Sequence, residues 1–184
     1  MISAPEYGRL MSFATIGAWQ LVQDLASRAM AVMPTASPSE VAEESLALIS
    51  VASAGTLASV FDQAPEVASA ITSTTTEWPF LYRDYLIADL KGQGALTDAV
   101  IQEEGEATAR LERTLSFYGA HLPKAMPGPS LLNEKLPLWM GRISPAKLST
   151  TVEARLTEID ATGLVSRHVR VIRAFALGLT EGSS

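Results

Sequence analysis

Three arginines near the carboxyl end of the chain are the residues best suited to binding by charge. Arg167, Arg170 and Arg173 follow one another at three-residue spacing, and on a helix turning about 100° per residue they fall within an arc of roughly 120°. Such a guanidinium row binds the phosphates of a polyanion or the carboxylates of another subunit. A charged row on a helix is also typical of an ordinary solvated face. The sequence therefore offers a polyanion or subunit contact at these arginines. The alternative, which is more common for such a row, is a solvated face or arginines that pair within the protein.

The chain has two histidines, and neither stands in a catalytic pattern. His168 falls on the apolar side of the helix that carries the arginines, which favours a hydrogen-bonded core residue over a catalyst. His121 comes at the end of a predicted helix, where the helix dipole favours a capping role. Two histidines without any cysteine exclude a thiolate zinc site and a histidine-rich metal site within one chain. We accordingly expect no metal and no cofactor.

Glu104 is the best candidate for a buried carboxylate. On a helix it projects between Val100, Leu111 and Leu115, so we predict that it is partly buried and paired with an arginine from the C-terminal region. The alternative is a carboxylate in a cleft, which would suit acid–base catalysis. The motifs of nucleophile elbows, dinucleotide-binding turns and phosphate-binding loops are missing from the sequence. We therefore expect that the protein is not an enzyme.

Aromatic residues concentrate between residues 78 and 85. Trp78, Tyr82 and Tyr85, together with the distant Trp139, are predicted to line an apolar pocket or to anchor an interface, because aromatic rings with polar tips suit both uses. Packing in the core is the other interpretation, and for aromatic residues it is the favoured one. The run from Leu136 to Met140 is short and accompanied by proline and glycine, which predicts an exposed apolar anchor.

Proline and glycine divide the chain into segments of helical length. The clearest helix start is at residues 37–40, where Ser37 caps, Pro38 fills the first turn and Glu40 closes a capping box. Gly163 is expected to end a helix or to mark a corner. The predicted breaks lie at residues 34–38, 62–65, 91–94, 122–129 and 141–145, and the patterns between them predict helices that include residues 10–33, 146–160 and 162–179.

The apolar run from Ser45 to Phe61 has 17 uncharged residues. It is shorter than the roughly 20 predominantly apolar residues of a membrane span, and it contains several hydroxyl side chains. We predict a buried core helix that lies at the centre of the fold and does not insert into a membrane. The threonine-rich stretch from Ile71 to Thr76 has β propensity but no partner strand, so it is predicted to be a loop or a helix end.

Composition restricts the class of protein. The chain has 184 residues, of which 47% are hydrophobic and 18% charged, which excludes intrinsic disorder as its main state. The absence of cysteine excludes a disulfide framework. No basic region of a secretory signal begins the chain, so a cytoplasmic protein, or one within an assembled particle, is expected.

Charge is distributed unevenly along the sequence. Residues 1–106 hold 14 acidic and 4 basic side chains, whereas residues 107–184 hold 6 acidic and 10 basic ones, and the net charge is −6. The acidic part of one copy therefore complements the basic part of another, which favours head-to-tail assembly. The alternative is that the two parts fold against each other and pair internally.

These patterns together predict an all-α protein, a single domain over residues 1–184 built as a bundle of about six to eight helices. The leading hypothesis is a non-enzymatic, self-assembling structural subunit of a coat or filament. We expect a homo-oligomer, with nucleic acid as a further partner at the arginine row. The alternative is a small helical bundle that binds an apolar small molecule or regulates a partner protein.

Overall fold

The computed structural model describes residues 2–94, 97–121, 129–144 and 152–181 of the chain. Within these ranges the protein has seven α-helices and no strand, so the predicted all-α multi-helix bundle is confirmed. In chain order the helices are α1 (Ala4–Val32), α2 (Pro38–Val60), α3 (Pro65–Gly92), α4 (Asp98–His121), α5 (Pro129–Ile143), α6 (Val152–Ile159) and α7 (Ala161–Glu181).

The first two helices begin at serine caps. Ser3 accepts a hydrogen bond from the backbone N–H of Glu6, and the Glu6 carboxylate accepts one from the Ser3 backbone at 2.7 Å. This capping box starts α1 six residues before the predicted start, because Pro5 lies in the first turn and there needs no N–H partner. Ser37 caps α2 as predicted by accepting from the backbone N–H of Glu40, but the bond from the Ser37 backbone to the Glu40 carboxylate that would complete the predicted capping box is not formed.

The corner between α6 and α7 lies at Asp160 and not at Gly163. Asp160 has a positive φ of 57°, a conformation that aspartate tolerates better than most residues. A Cβ at Gly163 would lie 2.3 Å from the Asp160 carboxylate. Glycine at this position leaves room for that carboxylate. The helix continues through Gly163 because the chain has already changed direction at Asp160.

Helix α2 is the centre of the bundle, since it packs against α1, α3, α4, α5 and α7. In the described part of the chain it alone is long and apolar enough to cross a membrane by length and composition, and 72% of its most apolar window is buried inside the protein. The buried core helix predicted over Ser45 to Phe61 is thereby confirmed. Its small side chains, among them Ala47 and Ser53, are fully buried and let neighbouring helices approach closely.

The stretch from Ile71 to Thr76 lies within α3, so the prediction of a loop or helix end was wrong. The hydroxyls of Thr72, Thr75 and Thr76 donate to carbonyls of the preceding turn, as Thr75 does to Ile71 at 2.8 Å. The Thr74 hydroxyl is hydrogen-bonded instead to that of Tyr7 on α1. These hydrogen bonds satisfy the hydroxyls within the helix, although the β propensity of threonine argued against a helical conformation here. Ile71 and Trp78 are buried and hold this part of the helix against the core.

The run from Leu136 to Met140 is part of α5 and is not an exposed anchor, which corrects the prediction. Leu136, Trp139 and Met140 are all buried. The indole N–H of Trp139 donates to the Ser45 hydroxyl of α2 at 3.2 Å. Pro137 lies inside the helix without ending it, so the apolar side chains fall on one face and pack inward.

Candidate functional site

The outer face of α7 carries the three predicted arginines. Arg167, Arg170 and Arg173 are all exposed. The opposite side of the helix, including Val169 and Ile172, is buried against the bundle. The predicted division of this helix into a charged and an apolar face therefore matches its burial.

These arginines form no ion pair with any described residue. Arg170 donates its Nε–H to the backbone carbonyl of Ser166 at 3.3 Å. The arginines that do pair with carboxylates in the described part of the chain are others, and they lie on other helices. The row therefore presents its charge to solvent.

A groove runs between α1 and α7, beside the arginine row. The two helices are antiparallel, since Phe13 stacks on Phe175 with ring centroids 4.4 Å apart, while Arg28 near the other end of α1 lies 3.9 Å from Asp160. We call the space between them the α1–α7 groove; its volume is about 320 Å³. It is lined by Phe13, Ile16, Gly17, Gln20, Leu21, Asp24, Leu164, Arg167, His168, Val171 and Ile172.

Large apolar side chains remain exposed along this groove. Ile16 is 59% exposed and Val171 47% exposed, on opposite walls. Apolar residues grouped in this way on a surface mark binding sites more often than single exposed ones do. The groove is thus an apolar depression with one cation, Arg167, and one anion, Asp24, on its walls.

His168 forms part of the wall of the groove. The side chain is buried, its Nε2 lies 3.0 Å from the hydroxyl of Ser53, and burial lowers the pKa of the imidazole to about 4. At neutral pH the ring is therefore uncharged, and the prediction of a hydrogen-bonded core histidine is confirmed. Its other edge faces α1 at Gly17, where a Cβ would lie 3.4 Å from both Nδ1 and Cε1.

A second charged group lies inside the bundle near the start of α2, and Glu43 is its first carboxylate. Glu43 binds Arg83 of α3. It also accepts from Arg110 of α4, whose Nε lies 2.9 Å from Oε2. These contacts join α2 to two neighbouring helices.

Glu44 is the second carboxylate of this group and is only 8% exposed. It accepts from the Tyr118 hydroxyl at 2.8 Å, from the Arg142 Nε at 2.7 Å and from the Thr114 hydroxyl at 3.3 Å. The two carboxylates and these partners form what we call the Glu43–Glu44 cluster.

The Glu43–Glu44 cluster is compensated within itself. Burial, and next to it the charge of Glu44, raises the pKa of Tyr118 far above its ordinary value, so this phenol acts only as a neutral donor. The hydrogen bond to Glu44 raises the pKa of Arg142, whose guanidinium also lies 4.6 Å from the centre of the Phe117 ring. A polar cleft of about 290 Å³ reaches both carboxylates. Because each carboxylate already has a cationic partner, the cluster is suited to holding helices together.

Of these two carboxylates Glu44 is buried, and Glu43, with 12% of its side chain exposed, is partly buried. The side chain of Glu104, the predicted one, lies outside the described residues; its backbone is in α4. The sequence contained a signal for the observed pair, since two adjacent glutamates begin a long apolar stretch and at least one must face the core.

Two of the four predicted aromatic residues line one pocket. Tyr82 and Tyr85 border a cavity of about 200 Å³ together with Trp19 of α1, Val22, Gln23 and Leu46. Trp19 and Tyr82 meet edge to face with ring centroids 6.3 Å apart. We call this the Trp19 pocket. Trp78 and Trp139 do not line it, since both are buried in the core.

No group of three or more histidine, cysteine, aspartate or glutamate side chains suited to a metal ion occurs among the described residues. Comparisons of the chain with models of protein families, with curated proteins and with solved structures found no match. The candidate site is therefore interpreted from its own geometry.

Proposed function

We propose that this chain is a non-enzymatic structural subunit that assembles with copies of itself, and that the outer face of α7 is one of its contact surfaces. The observation that carries the proposal is the row of Arg167, Arg170 and Arg173, exposed and without an ion pair in the described part of the chain. The protein as a whole is acidic, with a net charge of −6. A cationic row on such a protein is attracted to the acidic part of another copy.

The spacing of the row suits a repeated contact with carboxylates. Arg167 and Arg173 are six residues apart, which corresponds to about 9 Å along a helix. Guanidinium groups bind carboxylates through two parallel hydrogen bonds, so they fix orientation as well as charge. Leu177, 39% exposed on the same helix, adds apolar area. A cationic face that meets an acidic one is a heterologous contact, which forms rings or filaments.

The alternative expected from the sequence was that the acidic and basic parts of one chain pair with each other. Such ion pairs are present, but they are formed by residues other than the arginines of α7. Glu43 and Glu44, in the acidic part of the chain, bind Arg110 and Arg142, in the basic part. Charge complementarity within the fold thus uses the arginines of α4 and α5, and the arginines of α7 remain available for a contact between molecules.

The experiment that tests the proposal compares two charge-reversed variants by size-exclusion chromatography with light scattering. R170E/R173E should convert an assembled wild type into monomers, because like charges then face the acidic partner. The matched control is K91E/R113E, which makes the same change of net charge at exposed positions of α3 and α4; it should assemble as the wild type does. Assembly of R170E/R173E at the wild-type level contradicts the role of α7.

A polyanion is the other partner that the arginine row suits. The same experiment distinguishes a bound polyanion from a second copy of the chain. Protein purified without nuclease and recorded at 260 and 280 nm should show excess absorbance at 260 nm if nucleic acid occupies the row. Loss of that excess in R170E/R173E, with the control unchanged, assigns the polyanion to α7.

The binding of an apolar small molecule is the second candidate function. The Trp19 pocket supports it, because aromatic walls with an amide at the rim are typical of ligand sites. A wild type that remains a monomer of 19.6 kDa at all salt concentrations removes the assembly proposal and favours this candidate.

A further inference from the structure

We infer that the α1–α7 groove binds a small apolar carboxylate, with the His168 imidazole and the Arg167 guanidinium as the groups that receive the carboxylate. This inference does not rest on the proposed assembly. It rests on the hydrogen bonding of His168, on the missing side chain at Gly17, and on the composition of the groove walls.

The hydrogen bond between His168 and Ser53 determines which nitrogen carries the proton. Ser53 is fully buried, and its hydroxyl makes no other hydrogen bond with a described residue. The hydroxyl proton is therefore satisfied when it is donated to Nε2. A neutral imidazole that accepts at Nε2 carries its proton on Nδ1.

The Nδ1–H is left without a partner among the described residues and faces the gap at Gly17. A Cβ at this position would lie 3.4 Å from Nδ1, so any residue larger than glycine would cover the donor. Gly17 and His168 both line the groove. The His168 residue is nine-tenths buried and lines the groove, so the acceptor that its Nδ1–H calls for comes from the groove.

The charges and shape of the groove select the ligand. Arg167 lines the groove as His168 does and has no ion pair in the described part of the chain, so a carboxylate that enters the groove can gain both a charge and a donor. The exposed side chains of Phe13, Ile16 and Val171 offer apolar walls to the remainder of the ligand.

The volume of about 320 Å³ holds on the order of ten non-hydrogen atoms at roughly 30 Å³ each. Octanoate has this size, and it is the probe. The one carboxylate on the groove wall, Asp24, opposes an anionic ligand and provides a further test.

The first experiment titrates the protein with octanoate, 1-octanol and octylammonium by isothermal calorimetry. Octanoate should bind one to one with a Kd of roughly 0.2 to 5 mM, and more tightly than the other two. R167Q should weaken octanoate about 5- to 10-fold without changing 1-octanol, whereas R173Q, on the same helix outside the groove, should change neither. D24N should strengthen octanoate.

The decisive variant is G17A, because it should lower affinity while the protein stays folded. The gain of alanine over glycine in a helix is offset by the cost of covering the Nδ1–H, so the melting temperature should stay within about 4 °C of the wild type. The added methyl covers Nδ1, and octanoate binding should fall by about 5-fold or more. The control is G8A in the same helix, where nothing lies within 4 Å of the added Cβ; it should leave binding unchanged, and its melting temperature should rise by about 2 to 4 °C.

A spectroscopic measurement reports the donor directly. The chain has only two histidines, so the ¹⁵N signals of the His168 ring are assigned by comparison with H168Q, and octanoate should shift Nδ1 more than Nε2. Three results would overturn the inference: no saturable binding below about 10 mM, equal binding of octylammonium, or unchanged octanoate binding in both G17A and R167Q. Because positions 170 and 173 do not line the groove, the R170E/R173E variant should bind octanoate as the wild type does, whatever its state of assembly.

Discussion

At the scale of single residues, the buried imidazole of His168 makes the stability of the protein depend on pH. Burial lowers its pKa to about 4 from an ordinary value of 6.5. Between these values the unfolded chain is protonated at this residue while the folded chain is not. The free energy of unfolding therefore falls as the pH decreases from 6.5 to 4, and the stability is fully present above 6.5.

The variant H168Q should remove this dependence. Glutamine does not titrate and places an amide near the position of Nε2, so it retains the hydrogen bond to Ser53. Relative to H168Q, the wild type should lose about 3 kcal/mol of unfolding free energy between pH 7 and pH 4, at about 1.4 kcal/mol for each unit of pKa shift. Urea unfolding at a series of pH values measures the difference. Parallel stability curves for the two proteins would contradict the prediction.

At the scale of elements, the Glu43–Glu44 cluster attaches three helices to α2. Glu44 binds Tyr118 of α4 and Arg142 of α5, and Glu43 binds Arg83 of α3. These contacts are worth most as a complete set, since a charge buried without its partner costs far more than the pair contributes. The cluster therefore specifies which helices lie beside the start of α2.

Removing one carboxylate should show how far stability depends on a complete Glu43–Glu44 cluster. E44A leaves Arg142 and Tyr118 without their carboxylate acceptor. It should lower the free energy of unfolding by about 2 to 3 kcal/mol, because the Tyr118 hydroxyl is buried while Arg142, 35% exposed, regains water. E44Q, which keeps a hydrogen-bond acceptor, should cost less. E40A changes an exposed glutamate of the same helix, and it should cost under about 1 kcal/mol. Denaturant unfolding compares the three, and equal losses in E44A and E40A contradict the role of the cluster.

At the scale of the whole molecule, charge is the property that the assembly proposal depends on. The arginine row of α7 is exposed, so its attraction to a second copy is screened by salt. The screening length falls from about 10 Å at 0.1 M to about 3 Å at 1 M. An assembly held by this row should therefore be large at low salt and dissociate toward monomers near 1 M, as light scattering will show. An assembly that grows with salt would instead be held by apolar contacts.

Local patterns were sufficient for much of the fold. The caps at Ser37, the break near residues 62–65 and the buried run from Ser45 to Phe61 depend on neighbouring residues only, and the structure has all three. The predictions from local patterns were wrong where the packing of helices determined the conformation or burial of a segment. The threonines near Ile71 are helical because Ile71 and Trp78 are buried on one side of α3. The run ending at Met140 packs into the core, where the indole N–H of Trp139 donates to Ser45.

Some features of the candidate site could likewise be predicted from the sequence, and others depend on tertiary contacts. The sequence by itself determined the all-α class, the uneven charge and the arc of Arg167, Arg170 and Arg173, because helical periodicity is a property of one segment. Only the tertiary structure decided that these arginines have no ion pair with the residues it describes, that Arg142 binds Glu44, and that Gly17 lies against His168. Those facts join residues more than 90 positions apart in the chain, and such contacts depend on how helices dock, which no local pattern contains.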